Sequence, residues 1–167
     1  MKIPIVNEQD EIICYKERSE TTPQDIRRII RLNVFNENKE ILIARRSKNK
    51  NGLWGPSVAG HVDEGYDYDS TVVKEAEEEI GLYNIKPIFL KKIFLETLNS
   101  TRFTSIYYVI IDSEEFIPKI QEEEVSEVKW ISLEDLENWY KEKPQDFISS
   151  FSRTMDSIKE VLLIKDK

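Results

Sequence analysis

The chain has 167 residues, of which 40% are hydrophobic, and its 32 acidic and 24 basic side chains give a formal net charge of −8. This length suits one domain, residues 1–167, and the acidic excess argues against a surface that binds nucleic-acid polymers. The single cysteine excludes an internal disulfide, and the single histidine excludes a metal centre that needs two imidazoles. The sequence shows neither an apolar signal core nor an apolar run near the ~18 residues that span a bilayer, so we expect a cytoplasmic protein without membrane contact.

The first sixty residues predict strands, because short runs rich in Ile, Val and Leu alternate with polar turn residues. The expected strands are residues 3–6, 12–15, 28–35, 40–45 and 56–60. The first two form an N-terminal β-hairpin within residues 1–20, and the next two form a second hairpin. The polar segment 47–55 predicts a loop.

The second part of the chain predicts three helices and three more strands. A helix over 68–80 is indicated by Asp67 as a cap before it and by Gly81 as a left-handed stop after it. A second helix is expected to begin at Ser132. Pro144 is expected to open a third, over about 145–164. The strands are expected at 85–94, 104–111 and 125–131, and this mixture of elements indicates an α/β or α+β fold.

The helix over 68–80 carries an unusual cluster of acidic residues. Residues 60–82 hold eight acidic side chains and one basic one, Lys74. At roughly 100° per residue, Glu75, Glu78 and Glu79 fall on one face at the border of the buried side, where their charges repel. A hard cation with oxygen ligands, such as Mg²⁺, would relieve that repulsion. The alternative is an ordinary solvated face, which is common in Glu-rich helices.

The frame around these glutamates resembles the Nudix box, the sequence motif of the Nudix hydrolase family. The matching positions are Gly60, Glu75, Ala76, Glu78, Glu79, Gly81 and Leu82. Two positions depart from the motif, because Tyr66 replaces its first glutamate and Lys74 replaces its arginine. The resemblance covers about residues 28–140 and implies a Nudix fold, an α/β/α sandwich around a central mixed β-sheet.

The resemblance also implies a chemistry. Family members cleave diphosphate bonds, often in nucleoside-diphosphate-X compounds, with Mg²⁺ and in some cases Mn²⁺. It implies Glu75, Glu78 and Glu79 as the metal ligands, with Glu78 and Glu79 catalytic. The general base is expected to be Glu124, which is otherwise one acid in a run of three, and Glu96 is the lesser candidate.

Four further residues are candidates for substrate binding. Arg45 and Arg46 end a strand beside the expected cleft, and alternation allows only one of them to point inward. Trp54 stacks on a base or sugar, or else closes the edge of the core. His61 follows the box glycine and contacts substrate, or else is a hydrogen-bonded loop residue.

Two other functions are alternatives to hydrolysis. The sequence also resembles the branch of the family that is related to isopentenyl-diphosphate isomerase. The reactive cysteine of that enzyme, however, corresponds to Ala59 here, and its histidine ligand corresponds to about Arg27 and Arg28. Isomerisation is therefore not expected. The substitutions at Tyr66 and Lys74 leave room for a binding or regulatory module that does not cleave its ligand. A homodimer is possible on the sequence alone.

Overall fold

The computed structural model describes residues 1–165 and arranges them as one mixed sheet with three helices. The strands are β1 (Lys2–Val6), β2 (Ile12–Glu17), β3 (Ile26–Phe35), β4 (Ile41–Arg46), β5 (Trp54–Gly55), β6 (Val58–His61), β7 (Ile88–Thr97), β8 (Ser100–Ile110) and β9 (Val125–Ile131). The helices are α1 (Tyr68–Ile80), α2 (Leu133–Glu142) and α3 (Phe151–Lys165). Strand β3 pairs with β8 in parallel, while the other pairings between these strands are antiparallel.

The sheet divides between β3 and β4. These strands pair at Val34 with Leu42 and at Phe35 with Ile41. Strand β8 pairs along the whole of β3 on its other side. Towards the N-terminal end of β3, first β6 and then β1 take the place of β4, which continues along β5 and β9. A gap therefore opens within the sheet, bordered by the short strands β5 and β6.

Alternation along β3 and β4 supplies the two faces of the sandwich. Ile30, Leu32, Val34 and Leu42 pack in one cluster with the apolar side of α1. Phe35, Ile41 and Ile43 pack in a second cluster with α2 and α3. This arrangement confirms the expected α/β sandwich around a mixed sheet.

The bounds of α1 agree with the sequence prediction. The Asp67 carboxylate accepts a hydrogen bond of 2.8 Å from the Ser70 amide, and the Ser70 hydroxyl accepts one of 3.0 Å from the Asp67 amide. Gly81 ends the helix with φ +70°, a conformation that glycine adopts at little cost. These local signals fix the two ends of α1 and therefore the positions of its glutamates relative to the sheet.

The prediction that Pro144 opens the third helix is wrong. Pro144–Asp146 forms a separate 3₁₀ turn, and α3 begins at Phe151. Phe147 is extended, and the Ile148 amide donates a 2.9 Å hydrogen bond to the Trp54 carbonyl, so this segment pairs with β5 instead of continuing a helix. The predicted loop 47–55 correspondingly ends in a strand.

Strand β9 has the predicted bounds, Val125–Ile131, whereas the other strands differ from expectation at one or both ends. Strand β6 begins two residues later than predicted, and β7 and β8 meet at residues 98–99 in a longer hairpin. Among residues 1–165, no helix combines the length and the apolar character needed to cross a membrane.

Candidate active site

A cleft of about 860 Å³ occupies the gap between β3 and β4. Its lining includes side chains from both parts of the divided sheet, from α1 and from the loop before β9. Glutamates of α1 and Glu124 bring negative charge to the cleft, and arginines of β3, β4 and β8 bring positive charge. The division of the sheet thus gathers opposite charges from distant parts of the chain.

The three predicted metal ligands of α1 all line the cleft but differ in burial. Glu79 is 8% exposed, and burial, reinforced by the negative charge of Glu75, raises the pKa of its carboxyl to about 9. Burial also raises the pKa of Glu75, which shares a hydrogen bond with Glu79. The Glu78 side chain is 51% exposed, at the mouth of the cleft. Glu75 and Glu79 therefore form an acidic pair in which Glu79 is buried and Glu75 is partly buried.

Strand β6 holds this acidic pair in place. Gly60 packs so closely on Glu75 that a Cβ added there would lie 2.8 Å from Cδ of Glu75. The backbone of the adjacent residue, Ala59, makes a hydrogen bond to the Glu79 carboxylate. The box glycine is therefore the position where strand and carboxylate approach too closely for a side chain.

Lys74 places a positive charge beside the acidic pair. Its Nζ lies 3.3 Å from Asp63 Oδ2, 3.4 Å from Glu75 Oε1 and 3.9 Å from Glu78 Oε2. Partial burial disfavours the ammonium, yet the surrounding carboxylates, Glu75 foremost, raise the pKa of Lys74 overall. The same Nζ lies 5.0 Å from the centre of the Tyr66 ring. The two residues that depart from the Nudix box thus contact each other.

The residues present fit a magnesium ion that is completed by substrate. No group of three His, Cys, Asp or Glu side chains in the described part of the chain is already arranged to hold a metal. Mg²⁺, however, commonly takes one or two carboxylates together with water and substrate phosphates. Glu79 is buried, Glu75 is partly buried, and the two repel each other when ionised. They would supply two such ligands, and Glu78 is within the same cleft.

Glu124 also lies in the cleft and is held there by the loop before β9. The Ser47 amide donates a 3.0 Å hydrogen bond to the Glu124 carbonyl, and the Glu124 amide donates one of 2.9 Å to the Gln121 carbonyl. The carboxylate is 3.3 Å from Lys50 Nζ. Its charge acts on Glu79, so the two acids are close enough to interact.

Besides Arg18, Lys50 and Lys74, the cleft lining holds Arg46 and two arginines that the sequence analysis did not single out, Arg31 and Arg102. Arg31 is 6% exposed; its Nη2 donates 2.7 Å to Ser150 Oγ and its Nη1 donates 3.3 Å to Thr154 Oγ1. The signal for Arg31 was present, because it interrupts the apolar run of β3. The alternation of side chains along a strand predicts the face of the sheet on which Arg31 lies. It does not predict that a cleft lies beside that face.

His61 lines the cleft and is uncharged at neutral pH. Burial, together with nearby arginines, lowers its pKa to about 3. Its Nε2 is buried and has no hydrogen-bond partner within residues 1–165. This imidazole is therefore a neutral group with one ring nitrogen left for a ligand.

Three other sequence candidates lie outside the cleft lining. Arg45 points to the other side of β4, where its Nε donates 2.9 Å to the Gly52 carbonyl. Trp54 is buried and packs edge-on against Trp139, with ring centres 5.4 Å apart. Glu96 is exposed on β7. The structure thus brings Arg46 and His61 together with the glutamates, but not these three residues.

Comparison with known proteins identifies the family. The NUDIX domain model matches residues 25–151. Among curated proteins, the chain is 23% identical over 162 residues to the isopentenyl-diphosphate Delta-isomerase of Pectobacterium atrosepticum, covering 94% of this chain and 90% of that one. It is 28% identical over 138 residues to the uncharacterised Nudix hydrolase YfcD of Escherichia coli K12, covering 80% and 75%.

A solved structure shows the same fold. The crystal structure of DR0079 from Deinococcus radiodurans superposes with a TM-score of 0.73 at 20% identity, covering 96% of this chain and 98% of that one. The family model spans most of the present chain and includes the whole of α1 with its glutamates. The chain therefore belongs to the Nudix family of pyrophosphohydrolases.

Proposed function

We propose that the protein is a Mg²⁺-dependent hydrolase that cleaves the diphosphate bond of a nucleoside-diphosphate-X or a related small diphosphate compound. The observation that carries this proposal is the acidic pair Glu75 and Glu79 in the same cleft as Arg46. A diphosphate with its cation matches both charges, because the cation meets the carboxylates and the phosphate oxygens meet the guanidinium.

Each group then has a defined role. Glu75 and Glu79 hold the metal from inside the cleft, and Glu78 holds it from the mouth. The bound cation supplies charge neutralisation at phosphorus and a more acidic water. Arg46, at the end of β4 on the other side of the cleft, binds a phosphate oxygen. Glu124 accepts the proton of the attacking water, and Mn²⁺ is expected to substitute for Mg²⁺ because it prefers similar ligands.

Isomerisation is the reaction of one curated relative, but the residues of this chain do not favour it. Ala59 has no thiol where the resemblance places the reactive cysteine, and the chain contains a single histidine. His61 keeps a neutral imidazole in the cleft, which alone cannot form a site of three histidines. Hydrolysis needs neither a thiol nor several imidazoles.

The test is product release from a panel of diphosphates with Mg²⁺, with Mn²⁺ and with EDTA. The panel contains nucleoside-diphosphate sugars, ADP-ribose, dinucleoside polyphosphates, NAD⁺ and prenyl diphosphates. We expect turnover of at least one compound with metal and none with EDTA. Glu79→Gln should abolish it, whereas Glu77→Gln, on the same helix but outside the cleft lining, should not.

The same panel separates hydrolysis from ligand binding alone. Absence of turnover with both metals contradicts the proposal. Calorimetric binding of any panel member in that case identifies a binding module, which is the alternative suggested by Tyr66 and Lys74. Equal turnover by Glu79→Gln and the wild type would remove Glu79 from the metal site.

A further inference from the structure

Three of the four arginines that line the cleft form what we call the basic cluster: Arg31, Arg46 and Arg102. They come from β3, β4 and β8, which meet around the gap in the sheet. The three guanidinium groups are close enough to interact, because the positive charges of Arg102 and Arg46 both act on Arg31. Like charges gathered in this way destabilise the protein unless an anion joins them.

No guanidinium of the basic cluster makes a direct ion pair with a carboxylate among the described side chains. Arg31 is buried, and its hydrogen bonds go to the neutral hydroxyls of Ser150 and Thr154. The Nε atoms of Arg46 and Arg102 are buried and lack a hydrogen-bond partner within the described range. Burial, with the neighbouring arginines, lowers the pKa of Arg31 to about 10. It therefore remains a cation at neutral pH, and an anionic ligand in contact with it would compensate its charge.

The basic cluster extends further than one diphosphate requires. In the sheet register, Arg31 lies opposite Ala59, whose backbone bonds to Glu79, whereas Arg102 lies opposite Arg27, four residues further along β3. A diphosphate bound at the acidic pair and Arg46 would therefore leave Arg102 without an anion. A second phosphate group of the same molecule would reach Arg102 and would pass beside Arg31.

The cleft also offers little to an aromatic ligand. No Phe, Tyr or Trp is found among the residues described as lining it. Stacking of a base on an aromatic side chain, which commonly anchors nucleotides, is therefore not the main source of affinity here. Recognition must depend on charge and hydrogen bonds.

We propose that Arg31 and Arg102 bind an additional phosphate group of the substrate, separate from the diphosphate that is hydrolysed. The proposal rests on the proposed function, since one molecule must occupy both ends of the cleft. It names the substrate class as diphosphate compounds that carry at least one further phosphate monoester. Arg31 and Arg102 are then specificity residues that contact the substrate.

The test compares two matched pairs of compounds, NADP⁺ with NAD⁺ and coenzyme A with 3′-dephospho-coenzyme A. Within each pair the members differ by one phosphate monoester. Binding is measured by calorimetry in EDTA, so the result does not depend on turnover. We expect the phosphorylated member of at least one pair to bind about tenfold more tightly or better, as a charge-assisted contact provides.

The variants assign that preference to the arginines. Arg102→Gln and Arg31→Met should each reduce it to about twofold or less. Arg153→Gln, which removes an exposed arginine of α3 outside the cleft lining, should retain it. If Arg31→Met fails to fold, because Arg31 is buried, the partly exposed Arg102 decides the outcome alone.

The outcomes separate this proposal from the proposed function. Equal affinity within both pairs, or no binding at millimolar concentration, overturns the additional phosphate site even if simple diphosphates are cleaved. A preference that survives Arg102→Gln overturns it as well. A preference lost in Arg102→Gln, without any turnover in Mg²⁺ or Mn²⁺, supports the phosphate site and contradicts hydrolysis.

Discussion

Gly60 and Glu75 are packed so closely that no side chain fits between them. A Cβ at position 60 would lie 2.8 Å from Cδ and 2.9 Å from Cγ of Glu75. The backbone at Gly60 does not require positive φ, so the glycine is needed here for space. The strand and the helix meet at this point, and the position of the Glu75 carboxylate depends on it.

We predict that Gly60→Ala abolishes most of the activity while the protein stays folded. The new methyl group must displace Glu75, whose side chain can rotate away at modest cost in stability but then leaves the acidic pair. The measurements are kcat with Mg²⁺ and the unfolding temperature of the same sample. Wild-type kcat in a folded Gly60→Ala protein would show that the Glu75 position is unimportant.

Without metal, stability should fall as pH rises from about 5 to about 9. Burial raises the folded-state pKa of Glu79 to about 9, so the folded protein holds a proton that the unfolded chain has released at these pH values. One such proton contributes a slope of at most about 1.4 kcal/mol per pH unit. Urea unfolding in EDTA across this range measures it.

The matched variants for that slope are Glu79→Gln and Glu77→Gln. Glu79→Gln cannot ionise, so its stability should depend less on pH and should exceed that of the wild type at pH 8. Glu77→Gln should keep the wild-type slope. Identical slopes in all three proteins would contradict the raised pKa of Glu79.

Glu124→Gln is expected to lower kcat by about 10²–10⁴-fold and leave KM nearly unchanged, as for loss of a general base. Its carbonyl remains bonded to Ser47, so the loop before β9 stays in place. Glu122→Gln, an exposed neighbour outside the cleft lining, is the control. Steady-state kinetics of both variants decide whether the base is Glu124.

Arg46→Gln is expected to raise KM by about tenfold or more, because it removes a charge-assisted contact to phosphate. Arg45→Gln should have a much smaller effect, since its guanidinium bonds to the Gly52 carbonyl outside the cleft. The two substitutions change net charge equally. A larger effect from Arg45→Gln would place the phosphate on the other side of β4.

The sequence was sufficient where structure depends on neighbours in the chain. Asp67 and Gly81 determine the ends of α1 through bonds within a few residues, and the spacing of Glu75, Glu78 and Glu79 follows from helical geometry. Alternation also indicated that just one of Arg45 and Arg46 faces the cleft. Which of the two arginines faces the cleft depends on the position of the gap between β3 and β4. That position is set by pairing between strands that are distant in the sequence.

The misjudged features all depend on distant contacts. The third helix begins late because the Ile148 amide bonds to Trp54, nearly a hundred residues earlier in the chain. Arg31 was not recognised because its role depends on β8 and α3. Trp54 was a candidate for stacking on substrate, but its surroundings include Trp139 of α2, which the sequence does not place beside it.

The division of the sheet places the proposed catalytic groups on two sides of the cleft. The acidic pair, His61, Arg31 and Arg102 lie on the side of β3, β6 and β8, whereas Arg46 and Glu124 lie on the side of β4 and β9. The contacts that join the two sides include the short β3–β4 pairing and the 2.9 Å bond from the Gln121 amide to the Glu79 carbonyl. A substrate lying across the cleft would add a further link between the two sides and would contribute to the cohesion of the fold around it.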